Sequence, residues 1–450
     1  MDSIKRGNFE FVREIFPELY ENLTKAESQS RMDYKETGRQ LRDVFEAYCD
    51  HLIEENGMTV LEEGDALAAK IRELRSAGKM PSFPRYGYLS MEGRRESGFW
   101  DAIWRQFGNA CSHRRLLNQK APAVTYENLL TVFKIIFNVF KWEYTRRRGG
   151  KAAGEIGDFQ EDLMPIGRSY VVSGKAPVDK AMTNCIREYE TCLYNDSGKL
   201  QKYGIVRVFD KKSMDEKLLA VRDAEAFNEA AGEAGIQFDG NVQVEVISSI
   251  QSSGSDFYII IYNFSRKPVH LNESVTAELT MSGRMKLCRD IAAILGKFHG
   301  LDTPIYHRNL SYDSIYVCTG KQGELEPSII KLDCAKIVSE EYGTVIQTLE
   351  NREKMMQQRK LLKYVAPEVR RMTNGQNISI DWEKADIYSL GILFGDILRA
   401  SFAADPASMA KLQKQGADVR LLQLTEQMIN GNPAMRPSAD AVLKKLEEIL

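Results

Sequence analysis

The sequence is poor in the residues that build metal sites and disulfide frameworks. It has only five histidines, far apart, and no C-x-x-C pair. A zinc site needs closely spaced ligands and a disulfide framework usually has an even set of cysteines, so neither is predicted. We expect reduced, buried thiols at Cys49, Cys111, Cys185, Cys192, Cys288, Cys318 and Cys334.

Long apolar runs are lacking as well. The amino terminus, MDSIKRGNFEFVREIF, is charged from its start. The most apolar stretches, 257–264 and 131–142, fall short of the roughly 20 apolar residues that cross a bilayer. A formal net charge of −2 gives no overall field to attract nucleic acid or acidic lipid. We therefore expect a cytoplasmic protein with no membrane partner, and RNA is disfavoured as a partner.

Helical periodicity dominates the first part of the chain. In the segment 34–57, apolar residues recur at helical spacing and Gly57 stands where the helix would end; the periodic residues are Leu41, Val44, Phe45, Tyr48 and Leu52. A second helix is predicted over 125–144, and no alternating strand pattern occurs before residue 165. Residues 1–145 are therefore predicted to form a compact helical domain.

The composition changes after this region. The stretch TRRRGGKAAGEIGDFQED (145–162) combines a basic run with four glycines and few apolar residues. Such a composition buries too little apolar surface to offset the entropy of ordering. Residues 146–164 are therefore predicted to be a linker. The Arg146–Arg148 run could contact an anionic partner, but a solvated tether is the favoured interpretation.

From residue 165 the pattern is mixed. Short β-rich runs surround one helical stretch, 213–235, and lie at 189–195, 203–210, 242–250 and 256–264. Helical patterns return at 282–300, 384–400, 418–430 and 438–450. We predict an α+β arrangement: a small β-rich lobe over 165–265 and a large helical lobe over 266–450, with a cleft between them.

The order of motifs in this region resembles that of a protein kinase. YGIVRVFD (203–210) resembles the third strand, which normally carries the phosphate-pairing lysine. RDAEAF (222–227) resembles the helix segment that carries the glutamate partner of that lysine. YHRNLSYDSIYV (306–317) is similar to the H-R-D catalytic loop. The small lobe and the catalytic loop of a kinase thus have counterparts in the expected order.

The remaining motifs follow in the same order. IIKLDCAKI (329–337) resembles the D-F-G strand, and YVAPEV (364–369) resembles the A-P-E segment. ADIYSLGILFGDIL (385–398) resembles the helix with the D-x-W-S-x-G pattern, and NPAMRPSADAVLKKL (432–446) resembles the closing arginine element. The resemblance implies a bilobal protein kinase-like fold for residues 165–450.

The residues that hold such a fold together are present. In the family, a glutamate and an arginine join the A-P-E segment to the last helices, and Glu368 and Arg436 match them. The resemblance also implies that Asp386 braces the catalytic loop by accepting backbone N–H bonds. His307 and Arg308 are retained, and His307 would belong to the packed spine.

The residues that perform phosphoryl transfer are largely replaced. Asn309 stands at the position of the catalytic aspartate, and an amide cannot accept a proton as a base. Ser311 replaces the transition-state lysine and Ser314 the metal-binding asparagine, although Mg²⁺ binding suffers from each lost ligand. Asp333 is the metal aspartate in one alignment; in the slightly favoured alternative, 334–336 fills the motif and no metal aspartate remains.

The phosphate site of the small lobe is degenerate too. Arg207 occupies the lysine position, and its partner would be Asp223 or Glu225. Arginine keeps the charge but differs in reach from an ammonium. The Gly-rich loop would fall at 181–195, which contains no glycine. Without glycine the backbone cannot approach phosphates closely.

A weaker resemblance concerns the amino-terminal region. GRQLRDVFEAYCDHLI (38–53) and FGNACSH (107–113) are similar to the helical domain DUF4145, within the HEPN class. Some HEPN domains are ribonucleases that use a closely spaced arginine and histidine; Arg105 and His113 are farther apart than that pattern. A structural histidine is the favoured interpretation of His113, with a nucleolytic acid/base as the alternative.

The leading hypothesis is a cytosolic pseudokinase that acts as a signalling scaffold or regulator with little or no phosphotransfer. It predicts a protein partner, names no cofactor as certain, leaves ATP in the cleft open and makes Mg²⁺ doubtful. One alternative is a divergent active Ser/Thr-type kinase or nucleotidyl transferase that uses ATP through Arg207, Asp223, Asp333 and Asp313. Another is a HEPN ribonuclease regulated by the kinase-like part. By analogy alone, such a fusion fits a bacterial signalling or defence role.

Overall fold

The chain combines helices with antiparallel sheets, which confirms the predicted α+β class. A computed structural model describes residues 7–31, 34–59, 66–81, 126–149, 156–166, 170–176, 185–195, 199–210, 243–248, 257–332, 335–337, 362–373, 378–398, 414 and 416–450. The chain divides into two compact units. Unit 1 comprises Met1–Gly174, Cys192–Leu200 and Ser248–Phe257; unit 2 comprises Lys175–Thr191, Gln201–Ile247 and Tyr258–Leu450.

Unit 1 contains the helices that the amino-terminal periodicity predicts. A 3₁₀ turn (Glu10–Glu14) precedes α1 (Pro17–Gln29), α2 (Tyr34–Glu55), α3 (Ala66–Ser76) and α4 (Tyr126–Arg147). The five periodic residues of α2 are all buried. Gly57 ends α2 with a φ of +60°, which allows its own N–H and that of Met58 to bond the last carbonyls of the helix.

The segment predicted as a linker, 146–164, differs from that expectation at both ends. Helix α4 continues through Arg147, and a second 3₁₀ turn (Glu161–Leu163) leads into Met164, which is fully buried. The ring of Phe159 packs against the rings of Phe133 and Phe137, at centroid distances of 6.3 and 5.7 Å. Two apolar side chains therefore anchor a stretch whose average composition indicated a tether. Residues 150–155 lie outside the described part of the chain.

The arginine run at the end of α4 is paired within unit 1. The buried carboxylate of Glu143 accepts bonds from Arg146 and Arg147, each at 2.6 Å, and Arg148 pairs with Glu14. Because every guanidinium of the run has a carboxylate partner, little unbalanced positive charge is left to attract an anionic partner.

The strands begin after these helices. The first described strand is β1 (Tyr170–Lys175). Strands β2 (Cys185–Tyr194), β3 (Leu200–Asp210), β4 (Gln243–Ser248) and β5 (Phe257–Phe264) lie in the order β2-β3-β5-β4. In a second sheet, β8 (Ile315–Thr319) lies between β6 (Val269–His270) and β9 (Leu325–Ile329), antiparallel to both. Strand β7 (Ile305–Tyr306) pairs antiparallel with β10 (Lys336–Ile337). The loop 307–314 thus leaves β7 and enters β8.

Six helices of unit 2 are described, and one of them, α8, is buried along most of its length. They are α5 (Glu273–Ala277), α6 (Met281–His299), α7 (Pro367–Thr373), α8 (Trp382–Leu398), α9 (Val419–Met428) and α10 (Ala439–Ile449). Thr280 and Ser438 cap α6 and α10 by accepting bonds from backbone N–H groups. The predicted helical stretch 213–235 lies outside the described residues. Among the helices that are described, none has both the length and the apolar character to span a bilayer.

Candidate functional site

One buried carboxylate holds the loop 307–314. Asp386, on α8, accepts bonds from the backbone N–H groups of His307 at 2.6 Å and Arg308 at 2.8 Å. The Nε2 atom of His299 lies 3.1 Å from the same carboxylate. Arg308 has a φ of +63°, a left-handed conformation that costs free energy in a residue with a Cβ. Asp386 therefore stabilises a strained turn at the start of the loop.

His307 links this loop to the end of β9. Its Nδ1 accepts a bond from the N–H of Asn309 at 3.2 Å, so the proton of the neutral ring is assigned to Nε2. That Nε2–H donates to the carbonyl of Ile330 at 3.0 Å. With both ring nitrogens engaged and the side chain fully buried, His307 has a structural role in the loop.

The three polar residues that the sequence analysis placed at the catalytic and metal-binding positions are buried in the loop. Asn309, Ser311 and Ser314 are each at most 5% exposed. The Ser314 hydroxyl accepts from the Ser311 N–H at 3.1 Å and donates to the Ser311 carbonyl at 3.0 Å. It thereby closes the 3₁₀ turn Tyr312–Ser314. This hydroxyl is committed to the turn, and none of the three side chains can act as a base at neutral pH.

A shallow pocket opens beside the loop. Its empty space is about 300 Å³ including the open mouth, and its lining includes Arg308, Asn309, Ala366 and Trp382. The guanidinium of Arg308 lies over the Trp382 ring, 4.1 Å from its centroid. The retained arginine of the H-R-D-like motif is thus stacked on an aromatic ring at the pocket.

A second set of charged side chains lies buried between the strands of unit 2. We call it the Glu188 cluster; it consists of Glu188, Arg207, His270, Asp313, Tyr316 and Lys331. Glu188 is the centre: its carboxylate lies 3.3 Å from Arg207 Nε and 3.1 Å from Lys331 Nζ. It also accepts a bond from the Tyr316 hydroxyl at 2.9 Å. Two cations and a phenol therefore converge on one carboxylate that has no solvent-exposed surface.

Asp313 forms the outer edge of the Glu188 cluster. One of its oxygens lies 2.9 Å from Lys331 Nζ and the other 3.6 Å from His270 Nε2. Lys331 itself has a φ of +68°, and its N–H donates to the Tyr262 hydroxyl at 3.0 Å. Lys331 is thereby fixed between Glu188 and Asp313.

The environment shifts the pKa values of Asp313, Lys331 and Glu188 in different directions. Burial opposes the ionisation of Asp313, but the neighbouring His270 ring and the charge of Lys331 outweigh it and lower its pKa to about 2. Burial likewise opposes the charge on Lys331, and the two nearby carboxylates outweigh it and raise its pKa. Burial raises the pKa of Glu188 against the opposing effect of both cations. The Lys331–Asp313 pair is therefore ionised at neutral pH.

Sequence reasoning missed Glu188. It assigned Arg207 to Asp223 or Glu225, and both lie outside the described residues. Glu188 lies on strand β2, within the segment 181–195 where the Gly-rich loop is expected. Its pairing with Arg207 depends on how β2 and β3 are aligned, and no local pattern reports that alignment.

The pair expected to join distant parts of the large lobe is present. Both oxygens of Glu368, on α7, bond the Arg436 guanidinium, at 2.6 and 2.8 Å. Arg436 also donates to the carbonyls of Lys384 and Asn430 and lies over the Tyr388 ring. The guanidinium is 2% exposed, so this pair is shielded from water.

Binding of Mg²⁺ and a nucleoside triphosphate places specific demands on the side chains of a site. Such a ligand requires unbalanced cations for its phosphates and oxygen ligands for the metal. Arg207 and Lys331 already face carboxylates, and the Ser314 hydroxyl is used within its own turn. In the described part of the chain, no group of three or more histidine, cysteine or acidic residues could hold a metal ion. Among the described residues, these side chains are therefore engaged with one another. Asp333, Arg105 and His113 lie outside the described residues.

Unit 1 contains a buried acid of its own. One oxygen of Glu27 accepts bonds from both the backbone and the side-chain nitrogen of Asn8, and Asn8 in turn exchanges two bonds with the backbone of Gln160. The other oxygen lies against Gly7, whose φ is +89°; an added Cβ would be 2.3 Å from it. Burial raises the pKa of Glu27 to about 7, although Asn8 and Arg31 oppose the shift.

Replacing Glu27 by glutamine should change the pH dependence of unit 1 stability. The folded-state pKa of about 7 exceeds the ordinary value of 4.5, so the folded state binds the extra proton and stability falls as pH rises through 7. Relative to wild type, Glu27→Gln should gain about 2 to 3 kcal/mol between pH 5 and pH 8. Denaturant unfolding at both pH values measures this. Glu18→Gln, at an exposed position of α1, is the control, and an equal effect of Glu27→Gln at both pH values would contradict the prediction.

Comparison with known proteins assigns no family to this chain. The sequence matches no protein-family model, and no curated protein is significantly similar to it.

Proposed function

We propose that the chain is a cytoplasmic pseudokinase. Residues 165–450 would form a bilobal protein kinase-like module that has kept its frame and lost phosphotransfer. Together with the amino-terminal helices, it would act as a scaffold or regulator that binds a protein partner.

The observation that carries this proposal is the complete burial of Arg207. A phosphotransferase needs this position to present a positive charge to phosphate. Here Arg207 is 0% exposed and lies 3.3 Å from the Glu188 carboxylate on β2, and the second cation, Lys331, lies between Glu188 and Asp313. Asn309 supplies no base at the loop position where the reaction needs one. The frame residues Asp386, Glu368 and Arg436, by contrast, make the bonds that their family counterparts would make.

The test is a transfer assay on the full chain. The protein is incubated with Mg²⁺ and ATP labelled at either the α- or the γ-phosphate, and the labelled products are separated. We expect neither phosphoryl nor nucleotidyl transfer above that of heat-denatured protein. The Asn309→Asp variant should stay inactive as well, because restoring one carboxylate leaves the other replaced groups unchanged.

Transfer by the wild type that disappears in Asp333→Ala or Asp313→Asn would overturn the proposal. It would assign the chain to the divergent transferases and give these carboxylates a role in catalysis. Variants are compared at equal folded fraction, measured by circular dichroism, so that unfolding is not mistaken for loss of activity.

A further inference from the structure

The Glu188 carboxylate has the contacts of a bound anion. A guanidinium, an ammonium and a phenolic hydroxyl approach it from β3, from the residue pair after β9 and from β8, at 3.3, 3.1 and 2.9 Å. These donor types also bind phosphate oxygens, because carboxylate and phosphate present similar acceptors. Glu188 comes from a fourth element, β2, so one side chain of one strand faces donors on three others.

Among the described residues of the Glu188 cluster, two acids face two cations. Arg207 and Lys331 are the cations, and Glu188 and Asp313 are the acids beside them. An external anion that entered this arrangement would meet the negative charge of Glu188. Removing Glu188 alone would take one acid from this described set and keep both cations, in a site of low dielectric where the imbalance is costly.

From this we infer that Glu188 is an internal anion that occupies a latent site for a phosphate-bearing ligand of the pyrophosphate type, built by Arg207, Lys331 and Tyr316. This inference rests on the proposed function. It explains how the phosphate site at Arg207 is kept closed. Displacement of β2, the strand that carries Glu188, would open it.

The route to the site is at its acidic edge. Arg207, Glu188 and Lys331 have side chains at most 1% exposed, whereas Asp313 and His270 are 15% and 17% exposed. Lys331 is held by Asp313 on this edge and by the bond from its N–H to Tyr262. Loss of Glu188 therefore leaves the ammonium in place beside the space that the carboxylate vacates.

The experiment is thermal melting of the full chain in inorganic pyrophosphate without Mg²⁺, at constant ionic strength. Pyrophosphate should leave the melting temperature of the wild type unchanged. Glu188→Ala should melt below wild type, and pyrophosphate should raise its melting temperature saturably by ~3 °C or more. Glu188→Ala/Arg207→Met should lose this response. Asp313→Asn is the matched control: it removes the other acid that faces Lys331 but keeps Glu188, and should not respond.

Every outcome bears on the inference. A saturable response of the wild type or of Asp313→Asn, or no response of folded Glu188→Ala, overturns it. If Glu188→Ala does not fold in buffer, it is refolded from denaturant with and without pyrophosphate. Folding only with the anion supports the site, and failure under both conditions overturns it. Because no ATP or Mg²⁺ is present, a negative result leaves the transfer assay of the proposed function untouched.

Discussion

The Glu368→Ala variant is expected to lose about 3 to 5 kcal/mol of the free energy of unfolding of unit 2. Both carboxylate oxygens of Glu368 bond the Arg436 guanidinium, at 2.6 and 2.8 Å, and the substitution removes them. The loss is large because Arg436, which is 2% exposed, stays buried without them. Its bonds to two backbone carbonyls persist but carry no compensating charge. The penalty is thus mainly that of an unbalanced buried cation.

Denaturant unfolding monitored by far-UV circular dichroism measures this loss. The double variant Glu368→Met/Arg436→Met should cost less than the sum of the single variants, because it removes both charges together. Lys363→Ala is the control in the same unit: Lys363 pairs with Asp396 with its side chain 44% exposed, so its loss should cost at most ~1 kcal/mol. Equal effects of Glu368→Ala and Lys363→Ala would refute the account.

The Asp386→Ala variant should be destabilised to a similar extent, by about 3 to 5 kcal/mol. It leaves the N–H groups of His307 and Arg308 without the carboxylate that accepts their bonds at 2.6 and 2.8 Å. It also removes the restraint on the left-handed backbone of Arg308. We therefore expect two effects: unit 2 loses stability, and the loop 307–314 changes conformation.

Two readouts separate these effects. Denaturant unfolding gives the stability, and amide hydrogen exchange at 307 and 308 reports the loop. Asp386→Asn should be intermediate, because its amide has one acceptor oxygen where the carboxylate has two. Ser389→Ala, also on α8, removes a bond of 2.8 Å to the Tyr364 carbonyl and should leave exchange at 307 and 308 unchanged. Unchanged exchange in Asp386→Ala would contradict the bracing role.

The elements that sequence reasoning located best are long and periodic. Helix α2 was expected within 34–57 and runs over Tyr34–Glu55, and α10 was expected over 438–450 and runs over Ala439–Ile449. Apolar residues on one face and a capping residue at the start are local properties, so a short stretch of chain predicts them. The segment 146–164 differs from the expected linker at its ends for a related reason: an average over its composition hides Phe159, whose ring packs on α4, and the buried Met164.

The candidate site divides in the same way. The motifs pointed to Asp386, Glu368 and Arg436, and these side chains make buried bonds between elements distant in sequence. The same motifs gave Arg207 a partner on a following helix, and nothing in them indicated Glu188. A motif reports which residue types occur in order along the chain. It does not report which strand supplies the neighbour of a given side chain.

The amino-acid order alone thus established the α+β class and the main helices, because these follow from composition and period. Only the tertiary structure of unit 2 determined which buried charged groups face one another. Whether Arg207 faces a free space or a carboxylate depends on the pairing of β2 with β3 and on the left-handed turn at Lys331, which bring residues 188, 207, 313 and 331 together. Such long-range contacts depend on the strand register, and the register cannot be predicted from a short stretch of sequence.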